Sequence, residues 1–177
     1  MRRALDALYA LSAGLAAASL FGIFAVMMIQ IALRQFEVQF SGSDDLSAYL
    51  CVGTTFLGLA ATFKRGELIR VGMFLEKLPT GARRWAELFA LALGIAVMGY
   101  ITWWTAQDVL FSHEIEEVAQ GTVPFPLWIP KLVMPVGGGL LLIAVIDEFI
   151  SVLMGHEPEY VRAAAERAAR GDFSAEV

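Results

Sequence analysis

One cysteine, Cys51, in 177 residues leaves no partner for an intrachain disulfide and rules out a multi-cysteine metal site. Inside a span, its thiol is expected to be buried and inert. Histidine is almost as scarce: His113 and His156 fall on opposite sides of the membrane in the topology argued below, so they cannot jointly ligate a haem or a metal. No Gly-rich phosphate loop and no nucleophile elbow occurs, which leaves no basis for an enzyme and none for a cofactor. Long stretches also lack charge. There is none between Leu88 and Gln107 or between Leu132 and Ile146, and none at the centres of the other two apolar runs. Intramembrane charge marks ion and substrate pathways, and secondary transporters build midplane sites from repeats and broken helices. With neither, a self-sufficient channel or transporter is disfavoured, as is a redox-complex anchor without haem or quinone ligands.

What the chain has is four long apolar runs in a sequence that is 58% hydrophobic. They cover about 8–33, 46–63, 85–109 and 128–153, and a spanning helix needs about 17 to 25 such residues. Of the thirteen Lys and Arg residues, eleven lie on one side: Arg2, Arg3, Lys64, Arg65, Arg70, Lys77, Arg83, Arg84, Arg162, Arg167 and Arg170. Only Arg34 and Lys131 lie on the other. The positive-inside rule then puts both termini in the cytoplasm. The expected fold is an all-α membrane protein of four transmembrane helices, N-in and C-in. Residues 1–155 form a single four-helix membrane domain, and 156–177 a cytoplasmic tail. The first run continues uncharged far beyond the h-region of a signal peptide, so it is expected to stay as a span. The outer loops are acidic, which argues against nucleic acid as a partner.

Local patterns add detail. Ala10, Gly14, Ala18 and Gly22 recur every four residues, a small-residue stripe suited to close helix packing in lipid. The stripe alone does not say whether the partner helix is in this chain or in a large subunit. Ser43 is a candidate N-cap, with Asp44 and Asp45 in a first turn where the helix dipole favours negative charge. Val71, Phe74, Leu75 and Leu78 follow i, i+3, i+4, i+7 spacing in a segment too short to span. It reads as an amphipathic helix lying in the interface between the second and third spans, anchored with Lys64, Arg65, Arg70, Arg83, Arg84 and Trp85. All four tryptophans, Trp85, Trp103, Trp104 and Trp128, fall at expected membrane interfaces. Pro124, Pro126 and Pro130 predict a stiff extended approach to the fourth span. Pro135 is close enough to the start of that span to be tolerated, and Gly137, Gly138 and Gly139 allow close contact or a bend. Polar pairs are expected at the ends of spans, such as Arg34 with an outer carboxylate, near Asp108, or Asp147 with Arg83 or Arg84. His113 with Glu114, Glu116 and Glu117 makes a solvated acidic loop rather than a metal site.

The run from Phe56-Leu57-Gly58 through Lys64-Arg65-Gly66 and Ile69-Arg70-Val71 to Leu78-Pro79 resembles the small membrane subunit of TRAP (tripartite ATP-independent periplasmic) transporters. Asp44-Asp45-Leu46 and the Pro126-to-Pro130 stretch, followed by Pro135 and Gly137, are similar to the family too. Glu67 and Gly72 depart from it, standing where His and Asp are frequent. The resemblance implies an accessory subunit in the bacterial inner membrane. Its partners would be a large transmembrane transport subunit, a periplasmic substrate-binding protein and membrane lipids. The complex would import organic acids with sodium. Asp44, Asp45, Glu114, Glu116 and Glu117 are the expected docking residues for the binding protein. A small subunit of another tripartite importer is the nearest alternative.

Overall fold

The computed structural model describes residues 2–38, 40–65, 80–121 and 123–154. The expected amphipathic segment, with Arg70, Val71, Phe74 and Leu75, lies outside them, as do the tail 156–177 and His156. Of Arg65 and Arg83 only the helical backbone is described.

Five helices occur among these residues: α1 (Arg2–Gln35), α2 (Ser43–Arg65), α3 (Thr80–Glu114), α4 (Trp128–Lys131) and α5 (Val133–Leu153). Four stretches are long and apolar enough to cross a membrane: Ala7–Gln35, Ser43–Lys64, Arg84–Glu114 and Trp128–Leu153. The third helix runs past its expected end at 109. Hydropathy marks where lipid ends, whereas helix hydrogen bonding continues through Gln107 and Asp108 to a cap at Glu116. The Pro-rich approach is extended only as far as Pro126, which bridges to Val118. Pro130 lies in the first turn of α4, where a missing N–H costs nothing. Leu132 separates α4 from α5. Pro135 follows closely; it offers no N–H to the Lys131 carbonyl and its ring crowds that position.

The helices form an open row rather than a closed bundle. α1 packs on α2, α2 on α5, and α5 on α3. The edge helices α1 and α3 therefore expose most of their apolar surface, while α2 and α5 are covered on two sides. The α2–α5 contact depends on glycine. A Cβ on Gly137 would stand 2.5 Å from the backbone oxygen of Phe56, and one on Gly138 would stand 2.9 Å from Thr102 Oγ1 on α3. Successive positions on a helix point about 100° apart, so this pair of glycines lets α5 wedge between α2 and α3. The core joins Tyr9, Ala60, Phe63, Leu91, Leu141, Ala144, Val145 and Val152, toward the end that carries the start of α1 and the end of α5. That end is called the termini end below, and the opposite one the loop end.

The α1–α2 seam uses Tyr9, Ser12, Ala16, Ser19 and Val26, spaced by threes and fours or their sum. Tyr9, Ser12, Ala16 and Val26 are buried. Ser12 donates to the Leu57 carbonyl, and Gly53 approaches Ser19. The expected stripe lies elsewhere. Each four-residue step turns the face by about 40°, so only Gly22 reaches the seam, against Leu50. Ala10, Gly14 and Ala18 face outward, and Gly14 has nothing within 4 Å of a built Cβ. Cys51, expected to be buried, is exposed on the outward face of α2, because α2 gives its other faces to α1 and α5.

Candidate functional site

Polar chemistry gathers at the two ends of the row. At the termini end, Lys64 Nζ lies 2.9 Å from Asp147 Oδ2 and 5.5 Å from the centroid of the Tyr9 ring. Its side chain is only 14% exposed, so Lys64 is turned into the protein rather than left free at the surface. This corrects the expected partner of Asp147. α2 neighbours α5 directly, so Lys64 reaches the carboxylate first. Arg84 Nη2 donates instead to the Leu153 carbonyl, 3.0 Å away, a cation on the carbonyls that end α5. Glu87 and Glu148 are buried nearby in sequence on α3 and α5. Trp85 is largely exposed.

At the loop end, Lys131 is the hub. Its ammonium donates to Ser112 Oγ at 2.6 Å and to Glu117 Oε2 at 2.8 Å, and lies 3.1 Å from Asp108 Oδ2. Ser112, fully buried, donates in turn to Glu117 Oε2 at 2.6 Å. The Lys131 and Ser112 hydrogen bonds hold the Glu117 carboxyl below the usual carboxylate range. The backbone closes the same corner. Glu117 N–H bonds the Ser112 carbonyl and Glu116 N–H the His113 carbonyl, with Glu116 left-handed at φ 50°. This is a Schellman-type cap with glutamate where glycine is usual. α1 ends the same way, on Glu37 at φ 58° with Val38 N–H on the Leu33 carbonyl. The 117–127 loop then folds back on itself through Ala119 N–H to Phe125 O and Leu127 N–H to Glu117 O. It leans on the start of α2, with Val123 over Gly42 and Phe125 beside Tyr49. His113 meets Trp128 edge-on, with ring centroids 5.2 Å apart.

The five acidic positions expected to act together are divided by this arrangement. Glu117 is tied to Lys131. Asp45 is partly covered and sits against Gly121, where a Cβ would lie 2.0 Å from its Oδ2. Asp44, Glu114 and Glu116 are exposed, and Asp44 accepts from Gln30 at 3.4 Å. Ser43 does not cap α2 with its side chain. Its hydroxyl donates to the Phe40 carbonyl, and the first helical bond runs from Leu46 N–H to the Gly42 carbonyl, with Gly42 at φ 83°. Arg34 is exposed and lines an open recess of about 530 Å³ with Gln30, Glu37, Ser43 and Asp44. It makes no ion pair among the described residues, although Glu37 and Asp44 line the same recess.

An apolar cleft of about 440 Å³ runs between α1, α2 and the start of α5, lined by Leu46, Tyr49, Leu50, Leu57, Phe125 and Val133 among others. Among the described residues no group of three His, Cys, Asp or Glu side chains is placed to hold a metal ion. Sequence reasoning missed the Lys131–Ser112–Glu117 cluster. Its one signal was Lys131 itself, a rare cation on the acidic side.

Residues 23–155 match the family described as "Tripartite ATP-independent periplasmic transporters, DctQ component". No curated protein matches the chain. The family match spans most of the sequence and takes in α2, α3, α4 and α5 whole. Together with four helical stretches long and apolar enough to cross a membrane, it settles the assignment: the protein belongs to the small membrane subunits of TRAP transporters.

Proposed function

We propose that this chain is a non-catalytic scaffold subunit of a sodium-coupled, binding-protein-dependent importer of organic acids. It works in the bacterial inner membrane with both termini in the cytoplasm. The observation that supports this reading best is the open row itself. α1 and α3 offer long uncovered apolar faces, while the middle of the spans holds no charged group from which to build a pathway. Such a chain has surface for a large transport subunit and no chemistry of its own for transport. The domain reading follows: residues 1–155 act as one membrane unit, with 156–177 as a cytoplasmic tail. Arg70, Val71, Phe74 and Leu75 anchor the cytoplasmic interface beside Arg65 and Arg83.

Docking of the binding protein falls to the loop end. Asp44, Glu114 and Glu116 supply exposed charge there. Asp45 and Glu117 set the positions of α2 and of the loop. The test is uptake driven by the binding protein in cells that carry the whole transporter. Reversing Asp44, Glu114 and Glu116 to Lys should raise the binding-protein concentration needed for half-maximal uptake about ten-fold or more, as for rim charges that steer association. Uptake unchanged by the triple reversal removes the docking role.

A further inference from the structure

Tyr100 stands at the wrong depth for a residue that faces lipid. α3 carries Glu87 near one end and Asp108 near the other, the latter fixed at the loop end by Lys131. They are 21 positions apart, or about 31 Å at 1.5 Å per residue, which matches a hydrocarbon core about 30 Å thick. Tyr100 lies 8 positions from Asp108 and 13 from Glu87, so its Cα is about 4 Å from the midplane on the loop side. Helical side chains lean toward the helix N-terminus. That lean carries the Tyr100 hydroxyl away from the loop-end interface and into the midplane. The side chain is 66% exposed and its ring meets Trp104, with centroids 6.1 Å apart. No hydrogen bond of its hydroxyl occurs among the described residues. In lipid, a hydroxyl without a partner is costly.

The other outward hydroxyls of the spans solve this locally. Thr55 donates to the Cys51 carbonyl and Thr105 to the Ile101 carbonyl, each in its own helix. A phenol reaches too far from its backbone to do the same. Nor is Tyr100 alone on its face. At about 100° per residue, Tyr100, Trp103, Trp104 and Gln107 fall within about a quarter-turn arc of α3, with Phe89 and Phe111 in line with them. All six are exposed. By the same measure Trp104 and Trp103 lie only about 6 and 8 Å inside Asp108, nearer the interface, and Tyr100 about 12 Å inside. The outward face of α1 differs: its exposed large hydrophobic members, Leu11, Leu15, Leu20, Phe21, Phe24 and Met28 among them, carry no hydroxyl or N–H. The hydroxyls of Ser12 and Ser19 on α1 bond carbonyls within the chain.

We infer that the aromatic face of α3 is the surface that meets the large membrane subunit, and that a transmembrane helix of that subunit presents an acceptor oxygen to the Tyr100 hydroxyl at the midplane. This rests on the accessory-subunit reading above. Tyrosine and tryptophan suit such a place, with large rigid contact area and one polar tip each. The α1 face, including Ala10, Gly14 and Ala18, is left to lipid.

The test uses the whole transporter in native membranes, with an affinity tag on the C-terminus of this chain. p-Benzoylphenylalanine replaces Tyr100 in one strain and Phe24, on the outward face of α1, in another. Irradiation is expected to link position 100 to the large subunit and to leave position 24 with little or none of that adduct. Tyr100→Phe should lower the large subunit retained through a detergent wash about three-fold or more, the size of one hydrogen bond between membrane helices, while Phe24→Leu leaves it unchanged. The inference is overturned if the large subunit co-purifies but position 100 links only to lipid or to a second copy of this chain. It is also overturned if position 24 gives as much of the adduct as position 100. Those results leave the subunit pairing standing. Failure to recover any large subunit with the unmodified chain overturns the pairing, and this inference with it.

Discussion

The carbonyl oxygen of Phe56 lies 2.5 Å from the point where a Cβ on Gly137 would be. A backbone atom on α2 cannot swing aside as a side chain can, so α5 sits where it does only because residue 137 has no side chain. Gly137→Ala must push α2 and α5 apart. Overpacking of this kind costs about 1 to 3 kcal/mol, lost here along the seam that holds the two halves of the row together. Gly14 is the matched control, since a Cβ there meets nothing within 4 Å. Thermal unfolding of the isolated chain in detergent should show a marked drop for Gly137→Ala and almost none for Gly14→Ala. Equal effects at the two positions would contradict the α2–α5 geometry.

Hydropathy made the four spans legible, and the charge asymmetry suggested their sidedness. The order of helices in the row was not legible. In lipid, apolar residues that face a helix and those that face acyl chains look alike, because apolar burial gives no preference between them. Gly14 and Gly137 illustrate this: both are glycines in apolar runs, yet one faces outward and the other is pressed against a backbone. The small-residue stripe on α1 suggested a packing face, but its period carried it around the helix and away from the seam that Tyr9, Ser12 and Ala16 form. The polar ends were half legible. Asp147 needed a cation, and sequence pointed to its neighbours in the charge run near Arg84; Lys64 was chosen by helix order, which only the fold supplies.

Lys64 and Asp147 join residues 83 positions apart across the α2–α5 contact. The lysine is well covered, so the bond is shielded from water on that side. A double-mutant cycle with Lys64→Met and Asp147→Asn should give a coupling of about 1 kcal/mol or more in unfolding free energy. Both single variants should be less stable than the parent. Additivity within about 0.3 kcal/mol would show that the two side chains do not act as a pair.

Glu117 gives the loop end a pH dependence of defined sign. Its carboxyl is held below its usual value, about 4.3 for glutamate, chiefly by the Lys131 hydrogen bond and then by that of Ser112. A lowered folded-state pKa means the clamp contributes fully above the unfolded value and is lost as pH falls through the folded one. A nitroxide on Gln120→Cys, in a Cys51→Ala background, should report a loop that stays constrained from neutral pH into the usual glutamate range and loosens only at more acid pH. Glu117→Gln should report a looser loop across the whole range and lose the acid transition. A transition centred between pH 6 and 8 would contradict the clamp.

The central claim is that this four-helix row is an accessory to a larger transport subunit and not a transporter by itself. Its most direct test is purification from native membranes through a tag on the C-terminus, followed by identification and quantitation of what comes with it. The account predicts a multi-span membrane protein in equal amount with this chain, and solute uptake that requires both. Recovery of the chain alone or only with copies of itself, with uptake by the chain reconstituted on its own, would contradict the account.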